Sequence, residues 1–514
     1  MKLEEVYIIY LPRKKNNLLI IVFLYLLLFL FCYDAYTKEY SISICYNYAV
    51  PSLNPIKTYP FYPSEISTFI FDSLGKITEK GEVVPFLAKD WSLSIGKGET
   101  TIYLKQGILF HNGDELTSKV VVNILKKWVK KVKIERIRDI KAISRYTLKV
   151  YFTEFSRFDL FRLLLFPILL TSADGKKDYG TGPYFVKSFK NRGDIVLERF
   201  KRYFGREAKI KYIRFYFAED ETLNWARLLR SETDFAFNID LYHYFFLKKE
   251  KGIKTGISSP KEEYLIILNH HIPLFKSKKI RKALMYAINR ERLAEKICGD
   301  KWYVSHGLFL PQWKAFNKSV SPYPYSPQKA LSLFKEEGWR FSKKTGELKK
   351  NGNPFYLTLL FYKGAEDIEI IARMIQQDLF LVGIRTKLVI RKTTELFSKK
   401  DVSESSCARL VPVNLGLIPE NIEKWAAFSD GIFPIGYKNK KLEKMIKEAL
   451  KTEEREKSFV IYQKIDKILA DELPMLFLFL RPRFFAYKDK FITKGTFEPS
   501  VLGLRSIKDW ELKE

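Results

Sequence analysis

Cysteine and histidine are scarce in this chain, and their scarcity limits the chemistry that it can carry. The sequence has 4 cysteines and 5 histidines among 514 residues. Cys45, Cys298 and Cys407 lie far apart and form neither a CxxC motif nor the Cys/His spacing of a zinc site. An exported chain could form one disulfide, but the spacing selects no pair, so we expect buried free thiols.

Known catalytic signatures are also missing. The sequence contains no HExxH motif, no GxSxG nucleophile elbow and no P-loop. The Gly-rich segment 179–189, YGTGPYFVKSF, lacks the Lys-Ser pair of a phosphate-binding loop, so we interpret it as a structural turn. Acidic pairs such as Asp220 and Glu221 lie in stretches of mixed charge that are typical of a solvated surface. We therefore predict that the protein is not an enzyme.

The adjacent pair His270 and His271 raises the question of a metal site. Neighbouring side chains of a strand point to opposite faces of the sheet, so two such imidazoles are poorly placed to share one ion. We therefore predict no metal site and no cofactor.

Basic residues are in large excess, since 89 Lys and Arg face 59 Asp and Glu for a net charge of +30. The densest basic stretch, residues 125–145, alternates with Val, Ile and Trp. It is either a nucleic-acid face with interleaved aromatic residues or a solvated helix face followed by a strand. Because acidic residues are mixed among the basic ones, we favour the second interpretation and predict no nucleic-acid partner. A basic protein is also weakly attracted to an anionic membrane surface.

An uninterrupted apolar run occupies residues 18–31 and follows Arg13, Lys14 and Lys15. It is shorter than the roughly 20 residues of a spanning helix, and the basic residues place its start in the cytoplasm. Residues 1–37 are therefore predicted to be a signal peptide or membrane anchor that leaves the rest in the periplasm or cell envelope. Lipidation at Cys32, cleavage and retention as an anchor all stay open, because Phe31 stands where a lipoprotein signal has a small residue.

Hydrophobic periodicity predicts several individual elements. They are a first strand near residues 40–50, a helix after Thr117 with Val121, Ile124, Leu125 and Trp128 facing inward, one amphipathic helix over residues 277–297, a helix opened by Ser326 and Pro327, a hairpin at Asn351 and Gly352, and a parallel strand–helix–strand crossover over residues 355–390.

The order of motifs is more specific than any one of them. Residues 71–120 read FD.L, a Gly-centred turn, VVPFLAKDWSLS and YLK.GI.FHNGDELT, and GTGPY, LNHHIPLF, IRKALMYAINR and SPQKALSLFKEEGW follow downstream. This wording resembles the family 5 extracytoplasmic solute-binding proteins of ABC transporters, which carry oligopeptides, dipeptides and nickel. The resemblance extends from about Ile42 to about Tyr487.

The resemblance implies an α/β fold of the type II periplasmic-binding-protein class, with two lobes, a hinge and an extra subdomain inserted in the first lobe. The implied bounds are 38–54, 176–264 and 486–514 for lobe I, 55–175 for the inserted subdomain and 265–485 for lobe II. It also implies a monomeric receptor, held at the outer face of the inner membrane, that captures a peptide or other small solute by hinge closure and delivers it to an ABC permease. The alternative is an envelope scaffold that keeps the fold but has lost transport.

The resemblance also bears on the site. Peptide-binding members hold the ligand amine with an acidic residue in the pattern gW..D...DP.N, and we align IPENIEKWAAF with its end and assign Leu415 to that acid. Leucine cannot pair with a buried amine, which would cost several kcal/mol. Either Asn414 or Glu420 takes the amine after a shift of register, or the ligand is a different solute, such as an anion drawn by Arg409.

Three aromatic residues complete the predicted site. We expect Trp313, Tyr323 and Trp425 to line the cleft, although large aromatic side chains are more often part of a core.

Overall fold

The computed structural model describes residues 41–46, 50, 52–58, 65–190, 193–217, 223–258, 262–300, 303–362, 366–392, 407–416, 418–426, 436–493 and 504–513. The predicted signal or anchor with Cys32, and the pair Asp220 and Glu221, lie outside these residues. Within the described ranges, every helix is too short or too polar to cross a membrane. Cys45, Cys298 and Cys407 are buried and form no disulfide with one another, as predicted.

The strands are numbered in chain order. They are β1 (Ser41–Tyr46), β2 (Gly75–Ile77), β3 (Val83–Pro85), β4 (Ala88–Ser94), β5 (Glu99–Leu104), β6 (Ile137–Ser144), β7 (Thr147–Phe152), β8 (Leu170–Thr171), β9 (Asp178–Tyr179), β10 (Tyr184–Phe189), β11 (Ile195–Arg199), β12 (Tyr212–Phe217), β13 (Phe235–Ile239), β14 (Ile253–Ile257), β15 (Glu262–Leu268), β16 (Tyr303–Val304), β17 (Arg340–Ser342), β18 (Glu347–Lys350), β19 (Asn353–Pro354), β20 (Tyr356–Tyr362), β21 (Arg385–Arg391), β22 (Cys407–Asn414), β23 (Met475–Arg481), β24 (Phe484–Lys488), β25 (Phe491–Ile492) and β26 (Glu511–Leu512).

The α-helices are numbered in the same way. They are α1 (Pro55–Thr58), α2 (Ser118–Val132), α3 (Arg157–Leu164), α4 (Asn224–Leu229), α5 (Leu241–Leu247), α6 (Pro273–Lys276), α7 (Lys278–Ala287), α8 (Arg290–Cys298), α9 (Pro327–Glu336), α10 (Glu366–Leu381), α11 (Ile422–Ala426), α12 (Lys440–Lys451) and α13 (Arg455–Glu472). Short 3₁₀ helices occupy Glu65–Phe69, Ile95–Lys97, Pro419–Asn421 and Leu504–Asp509.

A seven-stranded sheet has the order β10-β11-β12-β1-β13-β24-β14. Its centre is β1, which runs parallel to β12 and β13 and is almost entirely buried. One face shares a continuous core with a four-stranded antiparallel sheet, β4-β5-β7-β6, and the other is covered by α4 and α5. The four-stranded sheet packs against α2, whose buried stripe of Val121, Ile124, Leu125 and Trp128 is the predicted one.

A six-stranded sheet has the order β16-β23-β15-β22-β20-β21. Its central strands β23 and β15 read MLFLFLR and EEYLIIL, the continuous apolar pattern of strands that are buried on both faces. Strands β20 and β21 are parallel and connected by α10, which confirms the predicted crossover.

Most of the other predicted elements are also confirmed. Ser326 caps α9 by accepting a hydrogen bond from the backbone N–H of Lys329, and Pro327 is the first helical residue. Asn351 and Gly352 form the turn between β18 and β19, with φ angles of 51° and 78°.

The helix predicted over residues 277–297 is wrong, because the segment forms two helices. Helix α7 ends at Ala287, Ile288 is extended, and Asn289 begins α8 by accepting a hydrogen bond from the backbone N–H of Arg292. The backbone N–H of Asn289 donates to Asp378, 2.9 Å away. An asparagine that bonds its own following turn competes with a continuous helix, and here it breaks one.

Candidate functional site

The chain passes between the seven-stranded and six-stranded sheets through two short segments. One joins β14 to β15 and the other joins β23 to β24. The backbone N–H of Ser258 donates to the carbonyl of Arg483 at 2.9 Å, and the N–H of Arg483 donates to Ser258 Oγ at 3.0 Å. We call this paired crossing the hinge, since rotation about two adjacent segments needs changes at few backbone positions.

Strand ends of both sheets converge on the hinge. In the six-stranded sheet, Glu262 at the start of β15 lies opposite Asn414 at the end of β22 and Arg481 at the end of β23. In the seven-stranded sheet, the parallel strands β1, β12, β13 and β14 all end on the hinge side, because β14 leads directly into it. The carboxyl ends of parallel strands are the usual ligand-binding edge of an α/β sheet.

A charged cluster covers this edge of the six-stranded sheet. Arg481 Nη1 lies 2.8 Å from Asp367 Oδ2 and 3.7 Å from Glu262 Oε2, and the hydroxyl of Tyr264 donates to Asp367 at 2.8 Å. Burial alone would lower the pKa of Arg481, but the Tyr264, Asp367 and Glu262 oxygens outweigh it and hold that pKa above its ordinary value. Arg483 of the hinge adds a 3.5 Å contact to Glu262.

A second set of contacts, all of them non-covalent, joins the part of the chain that holds the six-stranded sheet to the part that holds the other two large sheets. Arg136 Nη1 lies 2.6 Å from Glu423 Oε1, and Arg157 Nη2 donates to the carbonyl of Glu453 at 2.8 Å. The guanidinium of Arg455 lies 5.2 Å from the ring centre of Phe161. We call these contacts the α3 interface, because helix α3 and its approach supply most of one side.

A glycine and a tryptophan make a further contact of this kind. Gly81 has φ +74°, and a Cβ added there would lie 2.7 Å from Trp313 Cδ1. Next to it, Lys314 Nζ lies 3.1 Å from Glu82 Oε1. The indole is therefore packed directly on the backbone of the turn between β2 and β3, and the two parts of the chain are closed on each other in this structure.

Two residues of the predicted amine site are placed differently from each other. Leu415 is only 2% exposed and packs in the core of the six-stranded sheet, whereas Asn414 is exposed at the strand edge. The Asn414 side chain accepts a hydrogen bond from the backbone N–H of Gly416 at 2.8 Å. Asn414 is thus the predicted residue that lies on the charged strand edge, and a strict match of gW..D...DP.N to Pro419 and Asn421 also puts the acid at residue 414 rather than at Leu415.

The remaining predicted residues are dispersed. Glu420 is fully buried and paired with Arg455, whose Nη2 lies 3.2 Å from Glu420 Oε2. Tyr323 donates its hydroxyl to the carbonyl of Ala470 at 3.0 Å, and Arg409 is a buried residue of β22. Trp425 belongs to α11, but its side chain lies outside what the structure describes. A ligand-binding role for these residues and for Trp313 stays a prediction.

Residues 82–405 match the profile of the bacterial extracellular solute-binding proteins, family 5 Middle, which is more than half of the chain. The chain belongs to this family. It is 24% identical to the nickel-binding periplasmic protein of Escherichia coli K12, covering 68% of this chain and 71% of that protein. It is also 24% identical to the oligopeptide-binding protein AppA of Bacillus subtilis, covering 81% of each.

Solved structures of family 5 proteins have the same fold. NikA from Brucella suis in complex with Fe(III)-EDTA superposes with a TM-score of 0.81 at 19% identity, covering 92% of this chain and 100% of that one. AppA from Bacillus subtilis in complex with a nonapeptide gives a TM-score of 0.74 at 22% identity, covering 92% and 99%. The predicted family and the type II α/β fold are confirmed.

In the Gly-rich segment of this family 5 chain, residues 180–183 form a structural turn, as predicted, and the rest belongs to strands β9 and β10. A Cβ at Gly180 would lie 1.9 Å from the carbonyl oxygen of Ile70, so no side chain fits there. His111 holds the segment, since its Nδ1 accepts from the N–H of Gly180 at 3.2 Å and its Nε2 lies 3.0 Å from the carbonyl of Gly182. Burial lowers the pKa of His111 to about 4, which keeps the imidazole neutral and able to make both bonds.

The two adjacent histidines occupy unlike environments. The pair follows β15 in a turn rather than lying in a strand, yet His270 is buried and His271 is exposed. His270 Nε2 lies 2.8 Å from the carbonyl of Pro474. In the part of the chain that the structure describes, no group of three His, Cys, Asp or Glu side chains is arranged to hold a metal ion.

The residues that sequence reasoning missed are Glu262, Asp367 and Arg481. Each of the three is more than 100 residues from the next in sequence, so no local motif connects them. A usable signal did exist, because Glu262 and Arg481 are charged residues at the ends of mainly apolar strands, although the next residue of β15, Glu263, is charged as well and buried. A charge at the end of a buried strand marks an edge that faces a solvated space.

Proposed function

We propose that this chain is the extracytoplasmic receptor of an ABC importer, which captures a peptide or another small solute, closes over it and delivers it to a permease. Its family supports this, since the relatives include proteins named for binding oligopeptides, nickel and glutathione. The observation that carries the proposal is the hinge, because two adjacent crossings leave the rest of the contact between the two parts to non-covalent contacts that can open.

The two sheets support a division into two lobes. We assign residues 38–54, 176–264 and 486–514 to lobe I, residues 55–175 to its inserted subdomain and residues 265–485 to lobe II. The seven-stranded sheet draws its strands mainly from the first set and the six-stranded sheet mainly from the last. Strands β15 and β24 begin at Glu262 and Phe484, which supports boundaries two or three residues before the assigned ones.

The binding edge is the charged end of the six-stranded sheet, facing the strand ends of lobe I. Extended peptides bind to such edges through their backbones, which tolerates many side chains. Carboxylates of Glu262 and Asp367 and the guanidinium of Arg481 are held there by one another, and Asn414 adds an amide. This edge offers groups of both charges, which can pair with both ends of a zwitterionic solute. The side chain of Leu415 can pair with neither end.

Ligand capture is tested by native mass spectrometry and thermal shift on protein lacking its first 37 residues, with peptides, nickel complexes and small anions as probes. A solute at about 100 times its Kd stabilises the folded state by roughly 2.7 kcal/mol. We expect one probe class to raise the Tm of the wild-type protein and to do so far less in Asp367→Asn. An unchanged Tm across all probes would favour the scaffold alternative, and an equal shift in Asp367→Asn would place the ligand elsewhere.

The N-terminal segment is proposed to hold the receptor at the outer face of the inner membrane. The apolar run at 18–31 and the basic residues before it support this. The intact mass of protein extracted from membranes distinguishes a retained anchor, a cleaved chain and a chain that begins at acylated Cys32. Recovery of all of the protein in the soluble envelope fraction would contradict tethering.

A further inference from the structure

One edge of the seven-stranded sheet is the edge where the chain enters the fold. Strand β1 begins there at Ser41, and its parallel neighbours β12 and β13 begin at the same edge. Strand β14 pairs antiparallel with β24, which pairs antiparallel with β13, so β14 also begins there at Ile253. The hinge and the binding edge lie at the opposite ends of these strands.

Backbone hydrogen bonds gather three further segments at this edge. The N–H of Asp489 donates to the carbonyl of Gly252 at 2.8 Å, and the N–H of Lys513 donates to the carbonyl of Lys490 at 2.8 Å. The N–H of Asp234 in turn donates to the carbonyl of Ser43 at 2.9 Å. The turn before β14, the turn after β24 and the C-terminal residues therefore lie beside the start of β1.

Exposed lysines are concentrated on these segments. We call them the basic edge, which consists of Lys248, Lys249, Lys251, Lys254, Lys490 and Lys513. Asp489 pairs with two of the six and Asp234 with a third. Within the described ranges, the other three lysines make no ion pair, and the half-buried Glu250 is the one carboxylate among them in sequence. The basic edge thus keeps an excess of positive charge.

We propose that the basic edge docks on the surface of an anionic phospholipid membrane. The length of chain before the fold supports this partner, because ten residue steps separate Phe31, the last residue of the apolar run, from Ser41. That length spans at most roughly 35 Å, so a run held at the membrane keeps this edge within reach of it. The excess of positive charge on the edge then matches anionic headgroups.

Docking in this way goes beyond solute capture and sets an orientation. The binding edge lies at the other ends of the same strands, so in the docked state it faces away from the membrane. Solute capture and docking are then compatible, whereas delivery requires the receptor to leave the lipid surface.

The test uses the full chain reconstituted with vesicles of phosphatidylcholine alone and of phosphatidylcholine mixed with phosphatidylglycerol. A water-soluble acylating reagent labels exposed lysines, and peptide mass spectrometry measures labelling at each one. We expect lysines of the basic edge to be labelled about fivefold less on the anionic vesicles, and the protection to be lost at high salt. Any effect of the first 40 residues that is common to both lipids cancels in the comparison.

Two charge-reversal variants make the test specific. In K248E/K249E/K251E, the reporters Lys254 and Lys513 should lose their protection. The matched control is K127E/K130E/K131E, which reverses three exposed lysines of α2 in the densest basic stretch and should leave protection unchanged. Equal labelling on the two kinds of vesicle, protection of the α2 lysines instead, or equal loss of protection in the control would overturn the proposal.

Discussion

The hinge and the α3 interface both connect the two lobes, but they are built differently. At the hinge, two covalent segments are joined by reciprocal bonds between Ser258 and Arg483. At the α3 interface, lone contacts such as Arg136 to Glu423 stand between parts that no peptide bond connects nearby. Separating the lobes at the hinge would disrupt the hydrogen bonds that pair its two connecting segments. Separating them at α3 replaces ion pairs by contacts of the same side chains with water. The molecule should therefore open at α3 and pivot at the hinge.

The largest effect is expected from Arg455→Met, which breaks a buried ion pair on the lobe II side of the α3 interface. Glu420 is fully buried, so losing its partner leaves a carboxylate in an apolar site. We expect a loss of about 3–5 kcal/mol in the free energy of unfolding, measured by urea denaturation. The double variant E420Q/R455M should recover much of this loss. A single variant within about 1 kcal/mol of wild type would show that the pair is not a stabilising anchor.

Low pH is expected to destabilise the fold through His270, which belongs to lobe II. Burial lowers the pKa of His270 to about 4, below the ordinary value near 6.5, so the folded state favours the neutral ring. The stabilisation that this neutral ring gives to the folded state is complete above about pH 6.5. Roughly 3 kcal/mol of it is lost as the pH falls to about 4. We expect the difference in unfolding free energy between wild type and His270→Gln to shrink over this range. A difference that is constant with pH would contradict the assignment.

In the charged cluster beside the hinge, Arg481→Met is expected to lower the free energy of unfolding by about 2–3 kcal/mol, because Asp367 and Glu262 lose their shared cation. Arg483→Met removes only a 3.5 Å contact with Glu262 and should cost less than about 1 kcal/mol. Chemical denaturation of both variants gives the comparison. Equal losses would mean that Arg481 has no special part in ordering the binding edge.

Gly81→Ala is expected to hinder closure without unfolding either lobe. The new Cβ would lie 2.7 Å from Trp313 Cδ1, and φ of +74° adds local strain of about 1 kcal/mol. We expect a larger radius of gyration by solution X-ray scattering and a smaller ligand-induced rise in Tm. Gly96→Ala is the control, because a Cβ there meets no atom within 4 Å. Identical scattering from the two variants would show that the contact at Gly81 does not affect closure.

The smallest effect is expected from Arg136→Ala. It removes the contact with Glu423, while Asp159 keeps Arg162 at 3.3 Å, so we expect a shift of about 1 kcal/mol toward the open form. Fluorescence energy transfer between labels on the two lobes measures that shift. Lys451→Ala removes an ion pair between two half-exposed side chains and should change nothing measurable. An equal response to both substitutions would show that α3 contacts do not control opening.

Local chemistry explains what the sequence could predict. The crossover around α10 and the cap at Ser326 depend on neighbouring residues, and the structure has them. Thr117 occupies the N-cap position of α2 without a capping hydrogen bond from its side chain. The break at Asn289 was hidden because its cap competes with a helical pattern that continues on both sides. The charged cluster was hidden for another reason: Asp367 and Arg481 are far apart in sequence and meet only after the six-stranded sheet is assembled with α10. Leu415 cannot pair an amine, and its burial in the core explains why a leucine suits that position.

The position of β24 has a consequence for the order in which the chain matures. This strand lies between β13 and β14, although nearly 230 residues separate it from β14 in sequence. All strands of the six-stranded sheet, in contrast, come from one continuous stretch. Contacts between distant residues form slowly, and segments that emerge first must wait for late partners. During export, lobe I should therefore keep an open gap between β13 and β14 until β24 has crossed, and lobe II should be completed only just before, because its strand β23 ends at Arg481.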